Sequence, residues 1–447
     1  MKKPPRVSKN PFIKIAKAQP ELLSAYVDLH NPVDKKGRYL PFNELYRRFP
    51  SALDPQFAWS VVRDSRQARL TKLAPINASL SSLEFFISPT IQEANIVIER
   101  HTSLASLEWM AHQLGEGDVE RGSFRNVLEN LVKDEAISSS QLEGAATTTR
   151  VARDFLLNNR KPESVSEKMI LGNFRLMQAA WAEKDQPLSL DLIKQLHHVG
   201  MSDINDKQYQ PGRLRQTDDV VVVDAAGDVV YTPPLAQELE SRLEFVADWF
   251  NTIKPSPSCS AFVIATSLHF TIGFEHPFHD GNGRLARALF YWTMFKYGYH
   301  AFRYISISAL LNEAPVKYGK SYIHTETDNM DMTYFIDYQS KVVTRAIDQF
   351  LQDFSIMVDR YINFKQQFES SALYKETNEK QQAVIILVHN ISIKKVNAAW
   401  VQTMVACSYN TAASVLNGLT ELGIFQREKV GREWQYSMLK KIVDEDC

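Results

Sequence analysis

Two long apolar helical patterns, Ala261 to about Gly273 and about Gly283 to Phe295, flank the loop His276-Pro277-Phe278-His279-Asp280-Gly281-Asn282-Gly283. No other stretch restricts the fold as strongly. Pro277 keeps His276 out of helical backbone. Two glycines around Asn282 admit positive φ and let backbone approach a ligand closely. The residues that follow open a helix, so its free N–H groups and positive dipole end face the loop. Such a corner is a ready phosphate cradle.

The side chains extend the same chemistry. Arg284 and Arg287 lie three apart on one helix face, where their forks can hold phosphate oxygens. Asp280, just before the glycines, is placed to hold a Mg²⁺ that bridges phosphate groups. His276 stands in the non-helical loop as a general base. Base, metal carboxylate, anion nest and paired arginines together describe transfer of a phosphate-containing group. Phe278 reads as a core anchor that fixes the loop. A rival arrangement is a metal phosphohydrolase built on His279-Asp280 with His197, His198 and His269 as further ligands. Two arginines aimed into such a cluster would repel the metal.

Composition bounds the setting. The 447 residues carry 51 basic and 52 acidic side chains, a formal charge of −1, and 44% are hydrophobic. That length implies two or three domains with a full core. The near-neutral charge excludes a globally basic nucleic-acid coat and a disordered acidic tail protein. Cys259, Cys407 and Cys447 are far apart and form no CxxC, which argues against a disulfide framework or a thiolate zinc site. No apolar run approaches the ~20 residues of a membrane span. The basic start lacks an apolar signal core. A cytoplasmic protein without membrane contact is the expectation.

Along the chain, the first eighteen residues hold six cations and no acid and read as a frayed, solvated tail, with a weak anion-binding arm as the alternative. Residues 1–90 are expected to form a cover of short helices and loops. Helical periodicity follows at Ser123–Leu142, closed by Gly144, and then at Ser166–Ala182, Ser189–Val199 and Ala236–Phe250. Val220, Val221, Val222 and Val223, the turn residues Asp224–Asp228 and Val229-Val230-Tyr231 predict a β-hairpin, ended by Thr232-Pro233-Pro234. A long helix runs beyond Tyr338 toward Phe368, and Glu369–Lys380 reads as a linker. Residues 376–447 show helices at Ala383–His389, Asn397–Val405 and Tyr409–Leu422, then strands Ile424–Glu428 and Glu433–Ser437, which is the winged-helix order. DNA is the obvious partner of such a module. Yet its eight basic and eight acidic residues cancel, and Tyr409–Leu422 holds no Lys or Arg. Arg427, Lys429 and Arg432 are its one local cluster, so protein docking or homodimerisation competes with DNA.

The segment His276–Arg287 resembles the Fic family, matching its signature HPFxDGNGRxxR at every fixed position. The resemblance extends over about 91–338, including Gly212-Arg213 before the hairpin and the step Asp331-Met332-Thr333. It implies a mainly α fold: a Fic-type helical domain over 91–368 with the hairpin as a flap, followed by the C-terminal winged helix. It also implies an adenylyltransferase that moves AMP from ATP onto a Ser, Thr or Tyr hydroxyl of a protein, itself included. His276 would deprotonate the hydroxyl, and Asp280 would position Mg²⁺. Gly281, Asn282 and Gly283 would bind phosphates by backbone and amide donors, and Arg284 and Arg287 would hold the β/γ end. Gly283 stands where the kinase-like branch of the family has a lysine, which favours AMP; UMP and phosphocholine transfer stay open. Glu275 departs from the apolar residue more usual there, either facing solvent or modulating His276.

Ser139-Ser140-Gln141-Leu142-Glu143-Gly144 matches the family's inhibitory pattern (S/T)xxxE(G/N). The resemblance implies that Glu143 pairs with Arg287 in place of the γ-phosphate. A charge-assisted pair of ~1.5–3 kcal/mol would suppress productive ATP binding about tenfold or more. The hairpin would dock an extended target peptide along its edge. Tyr318 and Tyr322, at i and i+4, either wall the base pocket or belong to the core. Two further readings remain: a nucleotide-sensing, DNA-binding regulator, and removal of AMP by the same site.

Overall fold

The structure, a computed structural model, describes residues 2–75, 82–113, 118–157, 160–204, 210–223, 227–391, 395–431 and 433–439. Asp224 of the expected flap turn, Arg432 of the wing cluster, Cys447, and the side chains of Phe124 and Val127 lie outside the described residues. The fold is mainly helical, and the three sheets among the described residues are two-stranded antiparallel hairpins. The chain divides into two compact units, Met1–Ser103 with Lys133–Ile347, and Leu104–Val132 with Asp348–Cys447.

The first unit is built around two helices that we call the approach helix (Ala261–Glu275) and the cradle helix (Asn282–Lys296). The approach helix is buried along nearly its whole length, from Ala261 to Ile272, and so is the cradle helix from Arg284 to Phe295. A helix apolar all round has nowhere to sit but the centre of a domain. Around them pack helices Val165–Ala182, Leu190–Met201 and Leu239–Thr252. Two polar side chains of the cradle helix bond to backbone: the Trp292 indole N–H donates to Glu183 O at 2.8 Å, and the Tyr291 hydroxyl donates to Ile305 O at 2.9 Å.

The N-terminal cover is more ordered than its prolines suggest. Residues Pro11–Ala18 form a helix rather than a frayed tail, because Ile15 is fully buried against Tyr26, Leu53, Ala58 and Val61. Pro55–Gln67 is a helix capped by Asp54, whose carboxylate accepts the N–H groups of Gln56 and Phe57. Its Arg63 reaches Asp328 at 3.2 Å and Asp331 at 2.8 Å, and Tyr39 donates to Asp331 at 2.6 Å. Arg66 bonds Tyr334 and lies 3.8 Å over the Tyr39 ring. A hairpin, Thr71–Pro75 with Ser82–Phe85, was not foreseen. It joins the core where Glu84 O accepts Met332 N–H.

In the second unit, the expected linker Glu369–Lys380 is largely helical. The helix Thr333–Ser370, whose first residues belong to the first unit, gives way to Ala372–Glu376 and then to Glu379–Ile391. The last starts at a reciprocal cap in which Asn378 and Gln381 each accept the other's backbone N–H, a device that satisfies two helix-end donors at once. Helices Ala398–Met404 and Tyr409–Glu421 follow, capped by Asn397 and Ser408. Strands Phe425–Val430 and Glu433–Met438 then pair in continuous register, and Val396 bridges to Tyr436.

Candidate active site

The approach helix ends at His276, whose backbone turns left-handed with φ 47° and ψ 56°. A side chain there is uncommon and costs energy unless neighbours hold it. Arg215 does so: its backbone N–H donates to Pro277 O at 2.9 Å and its Nε to His276 O at 3.0 Å. The rest of its guanidinium bonds Thr217 O, Asp218 and Pro234 O, at the two bases of the flap. Arg215 was missed in the sequence reading, which stopped at Gly212 and Arg213.

Within the loop, Phe278 is fully buried, as expected of an anchor, and stacks on His197 with ring centroids 3.7 Å apart. His197 Nδ1 accepts Gly212 N–H at 2.9 Å, so its proton sits on Nε2, which donates to Asp280 O at 2.8 Å. Burial pushes its pKa down to about 4. A structural neutral imidazole, it is committed to the loop rather than to a metal. His269 is likewise buried, bonded to Tyr318 and depressed to about 3. Asn282 corrects one expectation. Its side-chain oxygen accepts Phe278 N–H at 2.9 Å and its amide donates to Phe278 O at 2.8 Å. The amide laces the loop shut instead of facing a ligand. Gly281 caps the cradle helix at φ 80°, leaving the backbone N–H groups of the first turn as the anion donors.

His276 Nδ1 lies 3.3 Å from Gly273 O, a carbonyl that can only accept. Nδ1 therefore carries the proton and Nε2 is left as the basic nitrogen. Burial lowers the His276 pKa below its usual value, so the imidazole is neutral at pH 7. Asp280 stands half-buried at the loop mouth, its carboxylate accepting Gly281 N–H.

Opposite the cradle lies the C-terminal part of the helix Asp118–Leu142. It ends in a left-handed Gly144 at φ 94°, with Ala145 N–H bonded back to Ser140 O. This turn delivers Glu143 to the cradle. A Cβ on Gly283 would collide with Glu143 Oε1, so the carboxylate lies against the first turn of the cradle helix. Arg287, 1% exposed, donates through Nη2 to Glu143 Oε1 at 3.0 Å and to Ser139 O at 3.0 Å, and through Nε to Ser139 Oγ at 2.9 Å. Thus Ser139, Glu143, Gly283 and Arg287 meet. Arg284 is buried on the same helix. Farther up, buried Glu135 accepts from Ser306 Oγ, Ser308 N–H and Ser308 Oγ, a second tether of the Glu143 helix that the sequence reading missed. Its signal was a charge beside the apolar positions Leu131, Val132 and Ala136.

The flap is shorter than expected. Its strands are Val222–Val223 and Val229–Tyr231, with the pairing shifted between Val222 and Val223, and Val220 and Val221 stand outside the ladder. Tyr231 fastens it to the approach helix by donating to Phe274 O at 2.9 Å. Glu275, for which two environments were open, is buried and gripped by Arg242. Tyr318 and Tyr322 belong to an aromatic cluster with Phe270 and Phe335.

A neutral imidazole, the free N–H groups of a helix start and two buried arginines thus converge on one helix end, a set of groups able to hold phosphate. Residues 187–294 match the Fic/DOC family. Over 117 residues, 26% of the chain, it is 27% identical to a protein adenylyltransferase Fic of Nematostella vectensis, of whose length it spans 25%. Among solved structures it is similar to a Fic family protein from Desulfovibrio desulfuricans G20, at 15% identity and TM-score 0.49, covering 79% of this chain and 97% of that one. Fic-1 from C. elegans aligns at 16% identity and TM-score 0.44, over 59% of this chain and 70% of that one.

Proposed function

We propose that this chain transfers AMP from ATP to a hydroxyl side chain of a protein and that Glu143 restrains the transfer. The observation that carries the reading is the placement of the Glu143 carboxylate. It occupies the anion seat of the cradle helix and bonds Arg287, beside a complete set of His276, Asp280, Gly281, Gly283, Arg284 and Arg287. A carboxylate held where a helix end and an arginine favour phosphate is a competitor for that phosphate.

In the transfer, the target hydroxyl oxygen attacks the α-phosphorus, the bond from that phosphorus to the bridging oxygen breaks, and pyrophosphate leaves. His276 Nε2 takes the hydroxyl proton. Cradle N–H groups hold phosphate oxygens, and Arg284 and Arg287 hold the leaving end once Glu143 has withdrawn. Asp280 fits a magnesium site of the type that uses one protein carboxylate together with substrate phosphates. Bound there, Mg²⁺ would supply charge neutralisation on the phosphates. The flap, with Val221, Val223 and Val229 exposed, offers an edge for an extended target segment.

The test is the intact mass of the full chain after incubation with ATP and Mg²⁺, in the wild type and in Glu143→Gly, with His276→Ala as the zero. The reading expects a gain of one AMP that is at least tenfold faster in Glu143→Gly. Equal and negligible labelling of both would overturn it.

For the second unit we read protein docking or self-association rather than DNA. Two of its described basic side chains are engaged locally: Lys395 pairs with Glu428, and Arg427 bonds Asn417 and lies 4.8 Å over Trp434. A salt-dependent gel shift by the full chain would reverse this reading.

A further inference from the structure

We propose that the Arg242–Glu275 pair is a positioning device for the base, and this rests on His276 being that base. Glu275 is the last residue of the approach helix and the immediate neighbour of His276. A carboxylate there is of the wrong sign for a helix C-terminus, and Glu275 is fully buried. It is kept by Arg242, from the helix Leu239–Thr252, which donates Nε to Oε2 at 2.6 Å and Nη2 to Oε1 at 2.8 Å. Arg242 is itself 4% exposed, and its second acid, Glu238, is 3.7 Å away and open to solvent.

A buried pair of this kind is a poor source of stability, since apolar side chains of similar volume commonly replace one at no cost. What a two-bond fork does supply is direction. Direction is what this position needs. His276 must turn left-handed directly after Glu275, and Pro277 follows at once. Arg215 holds the far side of the turn through His276 O and Pro277 O. Arg242 holds the near side through the Glu275 side chain. With both sides fixed, the His276 ring has one place to stand, and Nδ1 keeps its contact with Gly273 O. Without the near tether, the last turn of the helix is free to adjust and the ring moves with it. A displacement of about 1 Å at a reacting group can cost about a hundredfold in rate.

The groups facing His276 are Glu143, Arg215 and Asp280. The role assigned to the pair is geometric, holding the turn that carries His276. The variants are Glu275→Gln and the double apolar replacement R242M/E275M, both in full-length Glu143→Gly. Expected are unchanged melting temperature in the double variant, unchanged KM for ATP, and kcat for AMP transfer lower by about tenfold to a hundredfold, with the acidic limb of the pH profile where it was. A folded double variant with undiminished kcat would overturn the proposal. So would an acidic limb that shifts while the plateau stays, because the pair would then act on the His276 pKa. If Glu143→Gly alone transfers no AMP, the adenylyl-transfer reading fails by itself. The positioning claim is then decided by the His276 Cε1–H resonance, assigned with His276→Ala: it must move in the double variant, and a stationary signal refutes it.

Discussion

The loop of residues 276–283 and the flap are both fastened to the C-terminal end of the approach helix and are built in opposite ways. In the loop, Asn282 closes both ends of its amide on Phe278, His197 stacks on that ring and bonds Asp280 O, and Arg215 holds two carbonyls. The flap has strands of two and three residues, and Val223 and Val229 are more than half exposed. Its described anchors are at its bases, through Tyr231 and Arg215. Reacting atoms need fixed coordinates, whereas an edge that pairs with a peptide needs unspent backbone donors and acceptors. Arg215 belongs to both regions: it holds His276 O and Pro277 O in the loop, and Thr217 O and Pro234 O at the bases of the flap.

If the loop is the rigid member, acid should undo it first. Folded His197 and His269 titrate at about 4 and about 3, against about 6.5 when unfolded, because burial penalises the cation. Between those limits the unfolded chain binds more protons, so stability is full above pH 6.5 and is lost as pH falls toward 4. Each histidine accounts for about 3 kcal/mol of that loss. Denaturant unfolding at pH 7 and pH 4.5 measures it, with His269→Gln removing one share of the slope. A slope that this variant leaves intact would show that the buried imidazoles are not its source.

Two glycines put the same comparison on equal terms. Gly281 in the loop and Gly227 in the flap have φ of 80° and 86°. A Cβ on Gly281 would stand 2.6 Å from Met201 Cε and 3.2 Å from His197 Nε2, whereas one on Gly227 would meet none of the described residues within 4 Å. Gly281→Ala should cost about 2–3 kcal/mol, backbone strain and crowding together, and Gly227→Ala about 1 kcal/mol from strain alone. Chemical denaturation of the two variants reads the difference. Equal losses would mean the loop is no better packed than the flap.

The sequence exposed the site because its chemistry is contiguous: His276, Asp280, the two glycines and both arginines fall within twelve residues, and a helix start follows from local rules. What it hid depends on tertiary partners. Glu275 was ambiguous because Arg242 lies 33 residues earlier on another helix. Arg215 and His197 are unremarkable in their own neighbourhoods and acquire roles only when the loop folds onto them. The tail 11–18 was misread for the same reason: its cations are local, but the pocket that receives Ile15 is formed by residues 26–61. The helices themselves were read to within a few residues wherever an apolar period ran beside a cap, as at Ser260, Asn397 and Ser408. The short strands of the flap fell below what alternation can locate.

The smallest effect on the fold should come from the flap's own side chains, and it is the most informative about docking. Val223→Asp and Val229→Asp place a charge on residues that already face solvent, so global stability should change by no more than about 0.5 kcal/mol. ATP affinity should be unchanged, because no part of the cradle is touched. An edge that accepts an apolar peptide segment would nevertheless lose it, since the carboxylate has to be desolvated against that segment. In a Glu143→Gly background, labelled AMP delivered to other proteins of a cell extract should fall severalfold while melting temperature and nucleotide binding hold. Extract labelling that survives both substitutions would mean that targets dock elsewhere, and the flap's openness would then be no more than a surface hairpin's.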